Sequence, residues 1–369
     1  MARPLLTVRA LNRATLARQF LLERSTMSVE SAIEHLVGLQ AQTPHTAYTG
    51  LWTRLQGFDP EALSVLLTER RVVRMALMRG TIHMVTARDA WALRPLVQPV
   101  LDRVQKNQFG KPLAGLDSDE IVAVGRAFVD GSPRTFRSLG DHLLTRWPER
   151  DRFALEQAIR TGVPLVQVPP RGLWGRSGPI AHTSIEAWLG PHPPETMTLD
   201  TMIRRYLAAF GPASVMDAQA WCGLTRLGEV FERLRADLLT FTDERGRELF
   251  DLPHAPRPDP RTPAPVRFLY DFENMLLSYA DRSRAIPPAL TRAIDTRTQE
   301  SLSTFTVDGF AAGIWRVDRD RRSATLVVTP VEAIPRAVRS ALVEEGARLL
   351  VFLAADAPDR DVRVAQPLT

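Results

Sequence analysis

Cysteine is all but missing: the 369 residues include only Cys222. A disulfide framework, a cysteine-ligated zinc site and an iron–sulfur cluster each need several thiolates, so all three are excluded. Lysine is nearly as scarce. Of 47 basic residues only Lys106 and Lys111 are lysines, and both lie in the polar stretch QKNQFGKP, which reads as a linker. Imine chemistry therefore has few amines to draw on. No apolar run is long enough to span a bilayer. The opening MARPLLTVRALNRATL lacks the apolar block and cleavage site of a secretory leader. The expected setting is a reducing cytoplasm with no membrane partner. His35, His45, His83, His142, His182, His192 and His254 are scattered, with no His-Glu-x-x-His spacing, and neither a P-loop nor a dinucleotide fingerprint occurs. No metal and no cofactor are expected.

What is present is an ordinary soluble composition, 44% hydrophobic with a net charge of +5, long enough for two to four domains. The positive charge is almost wholly arginine, whose planar fork suits phosphate oxygens.

Helices, then a hairpin, recur along the chain. Residues 5–25 read as a helix carrying Arg9, Arg13 and Arg18. A second helix runs from Ser28 towards Gln42, where Pro44 should stop it. Asp59-Pro60-Glu61 opens a third, with an N-cap aspartate and proline at the first helical position. VVRMALMRGTIHMV follows as two short strands with Arg79-Gly80-Thr81 at the turn, then a helix over 87–107. The order repeats from Ser118, through the wing-like VPLVQVPPRGLWG. It repeats again from Thr198, with Ser214 capping one helix, Thr225 another, and Glu244-Arg245-Gly246 turning a hairpin. This is the order of a winged helix. The Pro-rich 254–265 is a linker. Beyond it, alternating strands and an amphipathic helix (PRAVRSALVEEGARLLVFL) form a last domain. The expected fold is mainly α with β-hairpin wings: three tandem winged-helix units (1–109, 118–180 and 198–253) followed by a C-terminal α+β, barrel-like domain (266–369). Three units in one chain remove the usual need to dimerise, so a monomer on double-stranded DNA is expected.

Within the stretch SVESAIEHLVGLQAQTPHTAYTGLW, Gln40 and Gln42 bracket Ala41 at the expected helix end. Two neutral amides two positions apart can face one substrate or one water, each offering an acceptor and two donors; solvated glutamines at a helix end would show the same spacing. Arg74, Arg79 and His83 on the first hairpin are DNA-side candidates, with a backbone-bonded, half-buried ring as the alternative for His83. Tyr48 and Trp52 could stack on a base or close a core. Trp174 could line a DNA face or lie buried in its wing. Arg134 and Arg137, at the start of a recognition helix, are placed for phosphate contact or for solvent.

LVGLQAQ followed by Tyr48 and Leu51-Trp52, then RMALMRGTIHMVTARD, WGRSG, FLYDFENMLLSYADR and DGFAAGIWRV with the closing GARLL, together resemble the winged-helix DNA glycosylases of the helix-turn-helix 42 (AlkZ/YcaQ-like) superfamily over essentially the whole chain. The resemblance implies a monofunctional glycosylase, without lyase activity, that excises bulky N7-alkylpurines and unhooks interstrand crosslinks. Its catalytic motif, Gln, apolar residue, Gln or Asp, reads here Gln40-Ala41-Gln42. The two-glutamine form is nearer the self-resistance members of azinomycin-producing actinomycetes than the Gln-x-Asp form of enterobacterial relatives. An N7-alkylated guanine is cationic and leaves neutral, so the site need only place water at C1′ and tolerate an oxocarbenium ion. A base tethered to both strands cannot be flipped into a deep pocket, so a shallow, open site is expected. The competing readings are a non-catalytic multi-winged-helix transcription regulator and a housekeeping alkylpurine glycosylase without a resistance role.

Overall fold

A computed structural model describes residues 3–368 except 192, 194–195 and 294–301; His192 lies outside the described residues. The architecture is mixed α/β rather than mainly α. Its strands form three sheets of three, five and six strands, and helices cover them. No described helix is long and apolar enough to cross a membrane.

The six-stranded sheet organises the first half of the chain. In spatial order it contains Leu39–Gln40, Ile82–Thr86, Val72–Ala76, Leu165–Gln167, Ala181–Ser184 and Arg134–Thr135. The strands expected as the wings of the first and second units therefore hydrogen-bond to each other: Arg74 pairs with Gln167 and Met75 with Val166, antiparallel. These hairpins are joined into one continuous sheet rather than standing as separate wings. Every residue of Val72–Ala76 and Ile82–Thr86 is buried, as expected of strands covered on both faces.

Helix positions largely follow the caps. Thr7, Ser28, Asp59, Thr86, Asp117, Thr135, Asp151, Thr198 and Ser214 each accept a backbone N–H at a helix start, satisfying donors that have no partner within the helix. Thr225 does not cap; helix Gly228–Leu234 starts at Leu227 without a side-chain cap. The first helix is Val8–Arg18, shorter than 5–25. Leu5–Leu6 ahead of it pairs in parallel with Leu239–Asp243, tying the N-terminus to the third hairpin. Arg18 forks onto Asp251 at 2.7 and 2.8 Å with both side chains fully buried, and Arg13 and Arg9 bind Asp308. These helix arginines clamp distant parts of the chain together.

One core runs from Val37 through the first hairpin to helices Leu199–Phe210 and Val215–Cys222 and on to Tyr279. The C-terminal part is a five-stranded sheet, ordered Arg267–Phe268, Thr304–Val307, Phe310–Arg319, Ser323–Pro330 and Asp359–Val364, backed by helix Arg336–Leu353. Its last strand, parallel to Ser323–Pro330, was not foreseen.

Candidate active site

The glutamine motif does not end a helix. Helix Val29–His35 stops seven residues before Gln42. Val37 and Gly38 take positive φ of 53° and 89°, and Gly38 N donates to Ile33 O at 2.9 Å while Val37 N donates to Glu34 O at 3.1 Å. Glycine is required there: a Cβ on Gly38 would lie 2.5 Å from Val85 Cγ1 and 2.9 Å from Met84 O. This left-handed stop turns the chain into strand Leu39–Gln40, which adds to the sheet edge with Gln40 opposite His83. Ala41 N continues the pairing onto Ile82 O at 2.8 Å. The stop signal was Gly38 rather than Pro44.

Both carboxamides are held by groups that can only donate. Gln40 is 3% exposed, and its Oε1 accepts Arg79 Nη2 at 2.6 Å. Gln42 is exposed, and its Oε1 accepts Ile82 N at 3.2 Å. A guanidinium and a backbone N–H carry no acceptor, so the oxygen of each amide must face inward. Each oxygen keeps one lone pair, and each Nε2 is left as a donor.

Arg79 is not a free wing tip. Its backbone is left-handed, φ 57°, and its guanidinium spans from Gln40 to the carbonyl of Trp221. Burial lowers its pKa to about 10, partly opposed by Cys222. Arg74 is also turned inward, 2% exposed. Its Nη2 donates to Ala41 O at 2.7 Å, between the two glutamines, and burial, with Arg171 nearby, lowers its pKa to about 10. His83 is 2% exposed and its Nδ1 lies 3.0 Å from Thr81 O. Burial first, then the charge of Arg79, pushes its pKa down to about 3, so it is a neutral ring at pH 7. Arg74 and His83, expected to face DNA, are instead buried on opposite faces of the sheet, His83 on the side of Gln40 and Arg74 on the other, and Arg79, expected there too, turns onto Gln40. The reason is the two-sided burial of their hairpin.

The aromatic candidates pack together. Tyr48 is fully buried; its hydroxyl donates to Gly172 O at 2.8 Å, and its ring centroid lies 4.9 Å from that of Trp174. Trp174 stacks on Phe352 at 4.8 Å and Trp52 on the same ring at 6.0 Å. Tyr48 is a core residue. Trp52 and Trp174 are half-buried rings joining the glutamine segment to the closing helix. Arg134 is half-buried over the Phe128 ring, 4.5 Å from its centroid. Arg137, in the first turn of helix Phe136–Arg146, is exposed.

Sequence reasoning missed the segment 270–274, which closes the site from the C-terminal side. Asn274 Nδ2 donates to Gly38 O at 2.8 Å and its Oδ1 accepts Gln40 N at 3.3 Å. Thr43 Oγ1 donates to Asp271 Oδ2 at 2.5 Å. Glu273 and Arg54 form an ion pair with no exposure on either side chain. Asp271, Glu273 and Asn274 interrupt an otherwise apolar run, and polar groups inside such a run must find partners; that was the available signal. Among the described residues no group of three metal-ligating side chains occurs.

Residues 33–352 match the profile of a family described as "DNA glycosylase AlkZ-like". The interstrand DNA cross-link repair glycosylase of Streptomyces sahachiroi is 26% identical over 356 residues, covering 90% of this chain and 92% of that protein. The solved structure of S. sahachiroi DNA glycosylase AlkZ superposes with a TM-score of 0.77 at 21% identity, covering 99% of this chain and 100% of that one.

Proposed function

Because the chain belongs to the AlkZ-like DNA glycosylase family, we propose that it hydrolyses the N-glycosidic bond of bulky N7-alkylpurines in duplex DNA, interstrand crosslinks included, with Gln40 and Gln42 at the sugar C1′. The observation that carries this reading is the pair of carboxamides fixed at a sheet edge, one buried on Arg79 and the other exposed. Side chains held in advance need no reorganisation when charge develops. The remaining lone pairs can accept from a water, and the Nε2 groups can donate to the sugar or the departing base. A cationic alkylpurine leaves neutral, so weak activation of water suffices. The exposure of Gln42 suits a lesion that cannot be extruded from the duplex, and the cross-link repair role in the name of the S. sahachiroi relative supports that substrate.

The reaction is hydrolytic, without strand-cleaving lyase chemistry. Lys106 and Lys111 are exposed, in and just after helix Ala87–Phe109, and no lysine belongs to the glutamine strand. The protein acts as a monomer on nucleoid DNA in the cytoplasm. Phosphate contact falls to exposed arginines such as Arg137 rather than to the buried Arg74 or to Arg79, which is engaged by Gln40 and the Trp221 carbonyl.

The test is base release from two duplexes, one carrying a defined N7-alkylguanine crosslink and one carrying N7-methylguanine. Release from both, with unhooking of the crosslink, is the expected result. Release of methylguanine alone would restrict the enzyme to monoadducts. Sequence-selective binding with no release from either would replace the reading with that of a regulator.

A further inference from the structure

The glutamine motif contains no carboxylate, and both of its amide oxygens already accept a hydrogen bond from the protein. An attacking water must lose a proton as its oxygen bonds to C1′, and an amide is a poor acceptor for that proton. A carboxylate lies against this strand, contributed from more than two hundred residues away. Asp271 is 8% exposed. Its Oδ2 accepts the hydroxyl of Thr43, the residue after Gln42. Its Oδ1 is buried and has no hydrogen-bond partner. Among the described residues no cation lies within ion-pair distance of it, whereas Glu273 two positions on is fully paired with Arg54.

The placement of Asp271 is over-determined. Phe272 takes a positive φ of 56°, a conformation that costs a bulky residue energy and persists only where the surroundings enforce it. Asn274 then pins the segment to both Gly38 and Gln40. A Cβ on Gly50 would lie 3.0 Å from the Tyr270 ring, so glycine lets the segment approach this closely. Arg79, at the hairpin tip, holds the side chain of the same Gln40 whose backbone N–H Asn274 accepts. Strand, hairpin tip and the 270–274 turn thus converge on one place. A buried carboxylate oxygen left without a donor destabilises a fold, and such groups call for an explanation in terms of function.

We infer that Asp271 is a further catalytic residue: its unpartnered oxygen accepts a hydrogen bond from the attacking water and takes up its proton. This rests on the glycosylase reading above. In the step, the C1′–N9 bond breaks and its electron pair cancels the positive charge of the alkylpurine, which leaves neutral. The water oxygen bonds to C1′. One water proton passes to Asp271 Oδ1 and then to solvent. Thr43 is a positioning residue that holds the other carboxylate oxygen.

The experiment is single-turnover release of N7-methylguanine from a duplex by the full chain, comparing wild type, Asp271→Asn and Thr43→Val, with DNA affinity and thermal midpoint measured for each. Asparagine keeps the Thr43 hydrogen bond through its amide oxygen, so a purely structural role would leave the rate unchanged. The expected result is a rate roughly 100-fold or more lower for Asp271→Asn, the range for a lost general base. Affinity should be unchanged, and the midpoint equal or higher because an unsatisfied charge is gone. Thr43→Val should lose rate without losing affinity, which also carries the test if Asp271→Asn does not fold. A wild-type rate in both variants would overturn the assignment to Asp271 and leave the glutamine reading standing. Parallel loss of affinity, midpoint and rate would also overturn it, in favour of a structural role. No release by wild-type protein would instead remove the glycosylase reading itself.

Discussion

Two hairpins in this molecule share a sequence signature and have opposite fates. Val72–Thr86 turns at Arg79-Gly80, and Leu239–Asp251 turns at Arg245-Gly246. In the first, both strands are buried along their whole length, and the turn arginine folds back to hold Gln40 and the Trp221 carbonyl. In the second, Leu239–Asp243 alternates between buried and half-buried positions after an exposed Leu239, and the Arg245 side chain is 64% exposed, paired with Asp281 at 2.9 Å. An arginine at a turn is therefore no guide to a groove contact. The strands beside it are: VVRMA and IHMVT are nearly continuous apolar runs, whereas LTFTD alternates. Continuous runs mark two covered faces, and alternation marks one.

That difference can be broken experimentally. The largest effect is expected inside the first hairpin. Met75→Ala should cost about 2–5 kcal/mol in urea unfolding, the range for a large-to-small change in a packed core; Met75 is fully buried. A loss under ~0.5 kcal/mol would mean that this hairpin is not the two-sided element described. Next, Arg79→Ala should slow base release by about 10²–10³-fold, as when one preorganised donor is removed from a reacting centre, with DNA affinity little changed. If affinity fell and the rate constant held, Arg79 would be a DNA contact after all.

Acid sensitivity sharpens the same contrast. Burial depresses His83 from 6.5 to about 3 and His182 to about 4. Below pH 6.5 the unfolded chain binds protons that these folded rings refuse, so stability is lost as pH falls from about 6.5 towards 3–4. Each ring contributes a slope of up to ~1.4 kcal/mol per pH unit. Thermal midpoints measured from pH 7.5 to 4.5 should decline, and His83→Gln should flatten the decline. An unchanged slope in that variant would place the protonation elsewhere. The smallest effects belong to the third hairpin: Arg245→Ala, at an exposed ion pair, should shift stability by no more than ~0.5 kcal/mol and leave base release near wild type. A larger loss of activity would mean that this tip reaches the DNA.

Much of the local structure was legible in the sequence. The caps at Asp59 and Ser214, the hairpin turns and the closing helix follow from short-range chemistry that a single chain displays. The merging of two hairpins into one sheet was not legible, because the pairing of Arg74 with Gln167 joins strands more than ninety residues apart. The glutamine motif was expected on the wrong element: Gly38 ended the helix early, and a glycine inside an amphipathic pattern has weaker signal than a proline after it. Arg74 and His83 were expected on the DNA side of the hairpin, and the fold buries both. Arg74 is covered by the segment around Gly172, which its own strand does not reveal. The polar residues Asp271 and Asn274 inside an apolar run signalled that they need partners, but only the fold shows that those partners are Thr43, Gly38 and Gln40.

The most direct test of the central claim is single-turnover base release by Gln40→Ala/Gln42→Ala against wild type on a duplex carrying one N7-alkylguanine, with duplex affinity measured in parallel. Release abolished in the variant while affinity survives is the predicted result. Release that persists in the folded variant at the wild-type rate would contradict the account, because the two carboxamides would then be scaffold rather than the reacting centre.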